Sequence, residues 1–145
     1  MKIITNILAR KPRNFHTVSP LAAVKDALSQ MCCENVDHLV VMDNQRFMGI
    51  LTEHDITTKG MSANKSFKKQ LVKDIMNNSL PVVTVYDSVD RCMKLMRQHN
   101  IRYIPVFDDF TFAGIISSDD IIEEVMFGGV NLEHYPSEES DSYAS

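Results

Sequence analysis

The sequence lacks both a hydrophobic run of membrane-spanning length and an apolar leader followed by a small-residue cleavage site. A transmembrane helix needs about 18–20 consecutive apolar residues, and a secretory signal contains a recognisable apolar core. We therefore expect neither a membrane segment nor an export signal. The three cysteines, Cys32, Cys33 and Cys92, have no metal or redox spacing, and their odd number fits a reducing compartment. The cytoplasm is the expected location.

An excess of basic charge is also missing, since the chain has 15 Lys and Arg against 19 Asp and Glu. The resulting net charge of -4 argues against a nucleic-acid-binding protein, which usually has a basic face. We find no nucleophile elbow, phosphate-binding lysine loop or zinc spacing. With 145 residues and 44% hydrophobic content, the sequence is typical of one compact domain or two small domains packed together.

The most informative feature is a stretch that occurs twice. Gly49-Ile-Leu-Thr-Glu-His-Asp55 has a second copy in Gly114-Ile-Ile-Ser-Ser-Asp-Asp120. Shifting the chain by the same 65 residues aligns 17–56 with 82–121 without a gap, and the aligned pairs include Val41/Val106 and Phe47/Phe112. Repeats of this kind indicate an internal duplication.

Each copy has a pattern that predicts the order β-α-β-β-α. Spacings of i, i+3, i+4 and i+7 predict a helix with one buried stripe in each copy, formed by Val24, Ala27, Leu28 and Met31 and by Val89, Cys92, Met93 and Met96. Short apolar runs on either side of turn residues predict a hairpin of buried strands. We interpret Cys92 as a small core residue, because it aligns with Ala27.

The sequence can be divided at the repeat boundaries. Helical spacing predicts a short helix ahead of each copy, over residues 3–8 and over residues 67–76. The predicted domains are 1–61 for the first repeat with its leading helix and 66–127 for the second repeat with its own. Residues 128–145 form a Ser/Glu-rich acidic tail, which we expect to be mobile and solvated.

With these features the chain resembles a cystathionine-β-synthase (CBS) domain pair, or Bateman module, over about residues 1–127. The resemblance lies in the duplication, the element order, Ile104-Pro-Val-Phe-Asp108 before the hairpin, and the Gly-to-Asp ending of each copy. It implies an α+β fold whose two repeats pack sheet against sheet about a pseudo-two-fold axis. It also implies two clefts that commonly hold adenosine compounds, and a flat homodimer. Short members that consist of a single pair are the most similar.

Each repeated motif ends a strand and begins a helix, where free backbone N–H groups and a partial positive charge suit a phosphate. Thr52 or Ser117 adds a hydroxyl group, and Asp55 or Asp120 can accept hydrogen bonds from a ribose 2′,3′-diol. The same residue types also form ordinary helix caps that bind no ligand. A single motif leaves both interpretations open, and the duplication favours nucleotide binding.

The resemblance implies that each motif combines with residues of the other repeat. The preferred nucleotide cleft would contain Thr52, His54, Asp55, Pro81, Val82, Arg102 and Tyr103. The second cleft would contain Lys11, His16, Asp37, His38, Ser117 and Asp120. Arg102 is a suitable phosphate partner, whereas Asp37 and Asp119 disfavour a phosphate unless Lys11 or Arg13 compensates. We therefore expect a phosphorylated nucleotide in the first cleft, and either nothing or an uncharged adenosyl group in the second.

The expected function is that of a non-catalytic sensor whose ligand biases the packing of the module. The expected ligand is AMP, ADP or ATP, while S-adenosylmethionine, NADH and a cyclic dinucleotide stay open. The signal would pass to an effector protein or to the dimer interface. The alternative is a ligand-free dimerisation module. His54-Asp55 lacks the further ligands of a metal-dependent phosphohydrolase, and Asp108-Asp109 aligns with the turn Asp43-Asn44 and is interpreted as a turn. Tyr103 either stacks on a base or caps the core.

Overall fold

The computed structural model describes residues 4–11, 15–60 and 66–127. The predicted tail, loop residues 61–65 and Arg13 lie outside the described residues. In chain order the elements are α1 (Ile4–Leu8), β1 (Thr17–Val18), α2 (Val24–Glu34), β2 (His38–Asp43), β3 (Arg46–Thr52), α3 (Glu53–Asp55), α4 (Val72–Ile75), β4 (Val83–Thr84), α5 (Val89–His99), β5 (Tyr103–Asp108), β6 (Thr111–Ser117) and α6 (Ser118–Phe127). No helix among these residues is both long enough and apolar enough to cross a membrane.

The described chain forms two compact units, each with its own sheet and core. Unit 1 contains residues 4–11 and 81–127, and unit 2 contains residues 15–60 and 66–80. In unit 2, β1 pairs in parallel with β2, and β2 pairs antiparallel with β3. In unit 1, β4, β5 and β6 repeat this arrangement. The α+β class predicted from the sequence is confirmed.

The cores follow from the predicted apolar stripes. In α2 the residues Val24, Ala27 and Met31 are buried, and they pack with Leu39, Val41 and Leu51 of the unit 2 sheet. In α5 the equivalent residues Val89, Cys92 and Met96 pack with Ile104, Val106 and Ile116 of the unit 1 sheet. Burial of a large aliphatic side chain contributes about 1.5–3 kcal/mol, so each unit has an apolar core of its own.

The helices that lead into the two repeats, α1 and α4, each pack on the repeat that they do not lead into. Ile4 and Ile7 of α1 are buried in the core of unit 1, together with residues of the second repeat. The Ile4 N–H donates to the Asp87 carbonyl oxygen over 3.0 Å, and the Thr5 hydroxyl donates to the Val85 carbonyl oxygen over 2.6 Å. In unit 2, Val72 and Ile75 of α4 join the core of the first repeat. The helix ahead of the first repeat therefore packs on the second repeat, and the helix ahead of the second repeat packs on the first. The predicted domain boundaries themselves remain a prediction.

The prediction of one continuous helix over residues 67–76 was wrong. A 3₁₀ turn occupies Phe67–Lys69, and the backbone is extended at Gln70 and Leu71 before α4 begins. Leu71 forms a β-bridge with Ala23, and the Val24 N–H donates to the Gln70 carbonyl oxygen over 3.0 Å. The Gln70 side chain is buried, and its amide donates to the Gly60 carbonyl oxygen over 2.8 Å. These tertiary bonds override the helical spacing of the apolar residues.

Both predicted hairpin turns are confirmed. Asp43 pairs with Arg46 across the first turn, and Asp108 pairs with Thr111 across the second. The first loop residue has a positive φ in each case, 60° at Asn44 and 56° at Asp109. Asn and Asp adopt this left-handed conformation more readily than most residues.

Candidate functional site

In unit 1, the second copy of the repeated motif forms a reciprocal cap at the start of α6. The Asp120 N–H donates to Ser117 Oγ over 3.1 Å, and the Ser117 N–H donates to Asp120 Oδ2 over 2.8 Å. Tyr103 is the register partner of Ser117, and the Ser118 N–H donates to the Arg102 carbonyl oxygen over 2.9 Å. The cap predicted from the sequence is confirmed, and Arg102 and Tyr103 lie beside the motif of their own repeat.

Lys11 reaches the same carboxylate from the segment that follows α1. Its Nζ donates to Asp120 Oδ2 over 2.6 Å and to the Ile115 carbonyl oxygen over 2.7 Å. The Asp120 side chain is 19% exposed and the Lys11 side chain 31% exposed. Two of the residues predicted for the second cleft, Lys11 and Asp120, are therefore in direct contact within unit 1. The contact neutralises the carboxylate that we expected to bind the ribose, and it involves neither Asp37 nor Asp119, which we expected to disfavour a phosphate.

A second ion pair lies next to the first. Arg10 pairs with Glu124, whose side chain is 1% exposed, one helical turn beyond Asp120 in α6. Sequence reasoning missed both Arg10 and Glu124. One signal was available, because Glu124 aligns with Lys59 in the repeat and so reverses the charge at that position. A buried carboxylate requires a partner. In unit 1 the cation is Arg10, which comes from the segment after α1. In unit 2 the position equivalent to Glu124 is itself a cation, Lys59, which pairs with Asp55.

In unit 2, the first copy of the motif forms the hydroxyl half of this cap and has a longer ion pair. The Asp55 N–H donates to Thr52 Oγ1 over 3.0 Å, as predicted. Lys59, four residues further along, places its Nζ 3.6 Å from Asp55 Oδ1, and its side chain is 47% exposed. His38 is the register partner of Thr52, and the Glu53 N–H donates to the Asp37 carbonyl oxygen over 3.0 Å. Each motif thus lies beside the residues that precede β2 or β5 in its own repeat.

An open groove of about 690 Å³ lies in unit 2 next to this motif. Its lining combines apolar residues from the C-terminal half of α2 with acidic and imidazole groups near the start of β2 and of α3; the lining residues are Leu28, Met31, Cys32, Asn35, Val36, Asp37, His38 and Glu53. His38 Nδ1 is 3.3 Å from Asp37 Oδ1. Because carboxylates line the groove, it is poorly suited to a phosphate.

The remaining predicted site residues are distributed over both units. His16 lies in unit 2, where its Nδ1 is 2.5 Å from Glu34 Oε1. His54 is exposed, and its carbonyl oxygen accepts hydrogen bonds from Thr57 and Thr58. Pro81 and Val82 precede β4 in unit 1, and Val82 is 52% exposed. Both predicted clefts combine residues of the two units, and these combinations stay predictions.

The three cysteines differ in their exposure to solvent. Cys32 and Cys33 are exposed, whereas Cys92 is buried in the core of unit 1. Burial raises the pKa of Cys92 to about 12, and the negative charges of Asp87 and Asp120 act in the same direction. Its interpretation as a core residue is confirmed. Among residues 4–11, 15–60 and 66–127, no three His, Cys, Asp or Glu side chains form a group that could hold a metal ion.

Comparison with known proteins identifies the family. The sequence pattern of the CBS domain matches residues 8–61 and 72–126, so the chain belongs to the CBS domain family and carries two copies of the domain. The chain is 38% identical over 108 residues to the mitochondrial CBS domain-containing protein CBSX3 of Arabidopsis thaliana, covering 71% of this chain and 52% of that protein. It spans about a quarter of the length of the next two curated relatives.

Solved structures agree with this assignment. A CBS domain crystal structure is similar with a TM-score of 0.80 and 30% identity, covering 86% of this chain and 98% of that chain. A CBS domain pair in complex with 5′-methylthioadenosine and S-adenosyl-L-methionine has a TM-score of 0.71 and 27% identity, covering 90% of this chain and 99% of that chain. The prediction of a CBS domain pair is therefore confirmed.

Proposed function

We propose that the chain is a non-catalytic regulatory module that binds an adenosine-containing ligand at its repeated motifs. The observation that carries the proposal is the same hydroxyl cap at the start of a helical segment in each unit, with Ser117 Oγ accepting from the Asp120 N–H and Thr52 Oγ1 from the Asp55 N–H. A helix start suits an anionic group, and a carboxylate one turn further along can accept hydrogen bonds from a ribose diol. The related CBS pair with two bound adenosine compounds supports this class of ligand.

The proposed ligand is AMP, ADP or ATP, with S-adenosylmethionine and NADH as further candidates. We propose that it occupies a cleft formed by Thr52, His54, Asp55, Pro81, Val82, Arg102 and Tyr103, or a cleft formed by Lys11, His16, Asp37, His38, Ser117 and Asp120. A ligand shifts the population of two states only by as much as its affinities for them differ. The ligand would therefore act by stabilising one packing of the module over another.

The signal would pass to a second copy of the chain or to an effector protein. Support for a homodimer comes from α6, where Ile122, Val125 and Met126 are 55%, 59% and 45% exposed and share one face. Apolar side chains that are exposed together often mark an interaction surface. We place the protein in the cytoplasm, because the number of cysteines is odd and two of them are exposed thiols.

A thermal-unfolding screen tests the proposal. The purified protein is heated with AMP, ADP, ATP, S-adenosylmethionine or NADH, and with GMP as a base-specificity control. A ligand at 100 times its Kd stabilises by about 2.7 kcal/mol, which corresponds to a rise in Tm of roughly 5–10 °C for a chain of this size. If the ligand binds at the first motif, Asp55→Ala should abolish the rise in Tm. If it binds at the second motif, Asp120→Ala should abolish it. It should persist in Asp90→Ala, which removes an exposed carboxylate at the start of α5.

The second candidate function is a ligand-free assembly module, and the exposed apolar face of α6 is the observation that favours it. The two functions give different results in the same screen. If none of the adenosine compounds raises the Tm while the protein remains a dimer in light scattering, assembly is the better description. A rise in Tm that both motif variants retain would contradict the proposed binding sites but not ligand binding itself.

A further inference from the structure

The two motifs differ in how their carboxylates are neutralised. In unit 1, Asp120 Oδ2 accepts both from the Lys11 ammonium over 2.6 Å and from the Ser117 N–H over 2.8 Å. In unit 2, the Lys59 ammonium is 3.6 Å from Asp55 Oδ1. The Lys59 side chain is more exposed than that of Lys11, at 47% against 31%. Solvent therefore weakens the pair at Asp55 more than the pair at Asp120.

The position of Lys11 affects a ribose directly. A ribose diol would donate its hydrogen bonds to the Asp120 carboxylate, and the Lys11 ammonium already occupies Oδ2. Since the Ser117 N–H also donates to Oδ2, a neutral nucleoside whose diol binds both carboxylate oxygens would have to displace the ammonium from a short, charge-assisted bond. The displaced cation would then lose its carboxylate partner without gaining another. The contact therefore disfavours neutral adenosyl compounds at this motif.

An anionic ligand gives the displaced ammonium a new partner. Lysine is a point charge on a flexible four-carbon stem, so its ammonium can move from a carboxylate to a phosphate without a large backbone change. The segment that carries Lys11 is itself fixed on unit 1, because Arg10 pairs with the buried carboxylate of Glu124. The positive end of α6 favours negative charge at the same place. The side chain of Lys11 can thus move while its backbone stays in position.

We propose that Lys11 makes the Ser117/Asp120 motif selective for phosphorylated adenosine compounds over uncharged ones, by exchanging Asp120 for the ligand's phosphate. The inference rests on the proposed function, because it concerns the ligand class and the regulation of one of the two motifs. It reverses the preference that the sequence predicts for this motif. In the free protein the Lys11 ammonium competes with the ribose diol for the Asp120 carboxylate. An anionic ligand relieves this competition, because its phosphate gives the ammonium another partner.

The experiment compares the Kd values of AMP and adenosine by isothermal titration calorimetry. All proteins carry Asp55→Ala, which removes the other motif. Adding Lys11→Met should change the Kd of AMP little, because the variant loses the pair with the phosphate but no longer has to break the pair with Asp120. It should tighten adenosine binding roughly tenfold to a hundredfold, the range for one charge-assisted hydrogen bond, because adenosine no longer competes with the ammonium. Lys94→Met is the control for net charge, since Lys94 is exposed on α5 of the same unit. Lys11→Arg retains the charge and should keep most of the preference for AMP.

Several outcomes would overturn the inference. An unchanged ratio of the two Kd values in Lys11→Met, or an equal gain for both ligands, means that Lys11 does not select by charge. If the unmodified chain binds a ligand and Asp55→Ala does not, the Ser117/Asp120 motif takes no ligand, although the proposed function would stand. Failure of every protein, including the unmodified chain, to bind either compound would instead remove the proposed function. Melting temperatures of all variants identify any loss of folding.

Discussion

At the scale of single residues, Gly49 shows why the first copy of the motif begins with a glycine. A Cβ atom at this position would lie 2.6 Å from the Asn77 carbonyl oxygen. The neighbouring Ile50 exchanges two backbone hydrogen bonds with Asn77, of 3.1 Å and 2.9 Å, so that the two backbones are held together. The glycine therefore has a packing role in unit 2, apart from any ligand.

We expect Gly49→Ala to lower the free energy of unfolding by about 2 kcal/mol or more, because overpacking against a fixed backbone costs about 1–3 kcal/mol. Urea unfolding measures the change. Gly60→Ala is the matched control, since its Cβ would approach a side-chain atom, Gln70 Oε1, at 3.1 Å and no backbone atom as closely as that. Equal costs for the two variants would contradict the role assigned to the Asn77 backbone.

The buried thiol of Cys92 predicts a loss of stability in alkaline solution. Its pKa is raised to about 12 in the folded protein, from 9.0 as the reference value. Above about pH 9 the unfolded chain ionises this thiol while the folded chain keeps the proton, so the unfolded state binds fewer protons and stability falls as pH rises.

We expect the free energy of unfolding to fall by about 1.4 kcal/mol more in the unmodified chain than in Cys92→Ala between about pH 8 and about pH 10. Alanine is compatible with the site, because Ala27 is the aligned and equally buried residue of unit 2. Urea unfolding at both pH values measures the difference. Identical pH dependence of the two proteins would show that the folded state does not hold the proton.

At the scale of elements, the segment after α1 is held on α6 by the Arg10–Glu124 and Lys11–Asp120 pairs. Breaking a fully buried pair by removing one partner costs about 3–5 kcal/mol. Since Arg10 is 48% exposed, we expect Arg10→Met to cost about 2 kcal/mol, below that range. Adding Glu124→Gln removes the buried charge with which Arg10 pairs and should recover part of the loss.

A double-mutant cycle of unfolding free energies measures this coupling. Arg91→Met is the control, because Arg91 is exposed and its Nε is 3.8 Å from Asp87 Oδ1. That variant should change stability by no more than about 0.5 kcal/mol. Additive effects of Arg10→Met and Glu124→Gln would mean that the pair does not hold the segment.

The sequence was informative about elements whose signals are local. The stripes of α2 and α5, both hairpins and both caps follow from spacings of a few residues and are confirmed, except at Leu28, which is 37% exposed and lines the groove of unit 2. The break at Gln70 and the packing of α1 in unit 1 depend on contacts that no local pattern encodes. The Arg10–Glu124 pair, for example, joins residues 114 positions apart. The two predicted clefts, in which each motif meets residues of the other repeat, also depend on long-range contacts, and they stay a prediction.

At the scale of the whole molecule, the apolar face of α6 predicts self-association. Val125 is 59% exposed and lies on the face shared with Ile122 and Met126. If a second copy covers this face, Val125→Glu buries a carboxylate without a partner and weakens the dimer. We expect a rise in the dimer dissociation constant of roughly a hundredfold or more, about 2.7 kcal/mol.

Light scattering over a dilution series measures the dissociation constant. Gln98→Glu introduces the same charge on the exposed side of α5 and should leave the dimer unchanged. A monomer at all concentrations of the unmodified chain, or a Val125→Glu protein that dimerises normally, would exclude α6 as the interface.

The packing of α1 in unit 1 has a consequence for biosynthesis. Ile4 and Ile7 leave the ribosome early, but the core that buries them includes Ile116 and Ile121, which are made only after all of unit 2. Unit 2 is nearly continuous in sequence and can fold while the rest is still being translated. Unit 1 must instead close a long loop, which slows folding. We expect pulse-labelled amide exchange on stalled nascent chains to show protection in unit 2 first. Lys11 then meets Asp120 only when the last described helix has emerged.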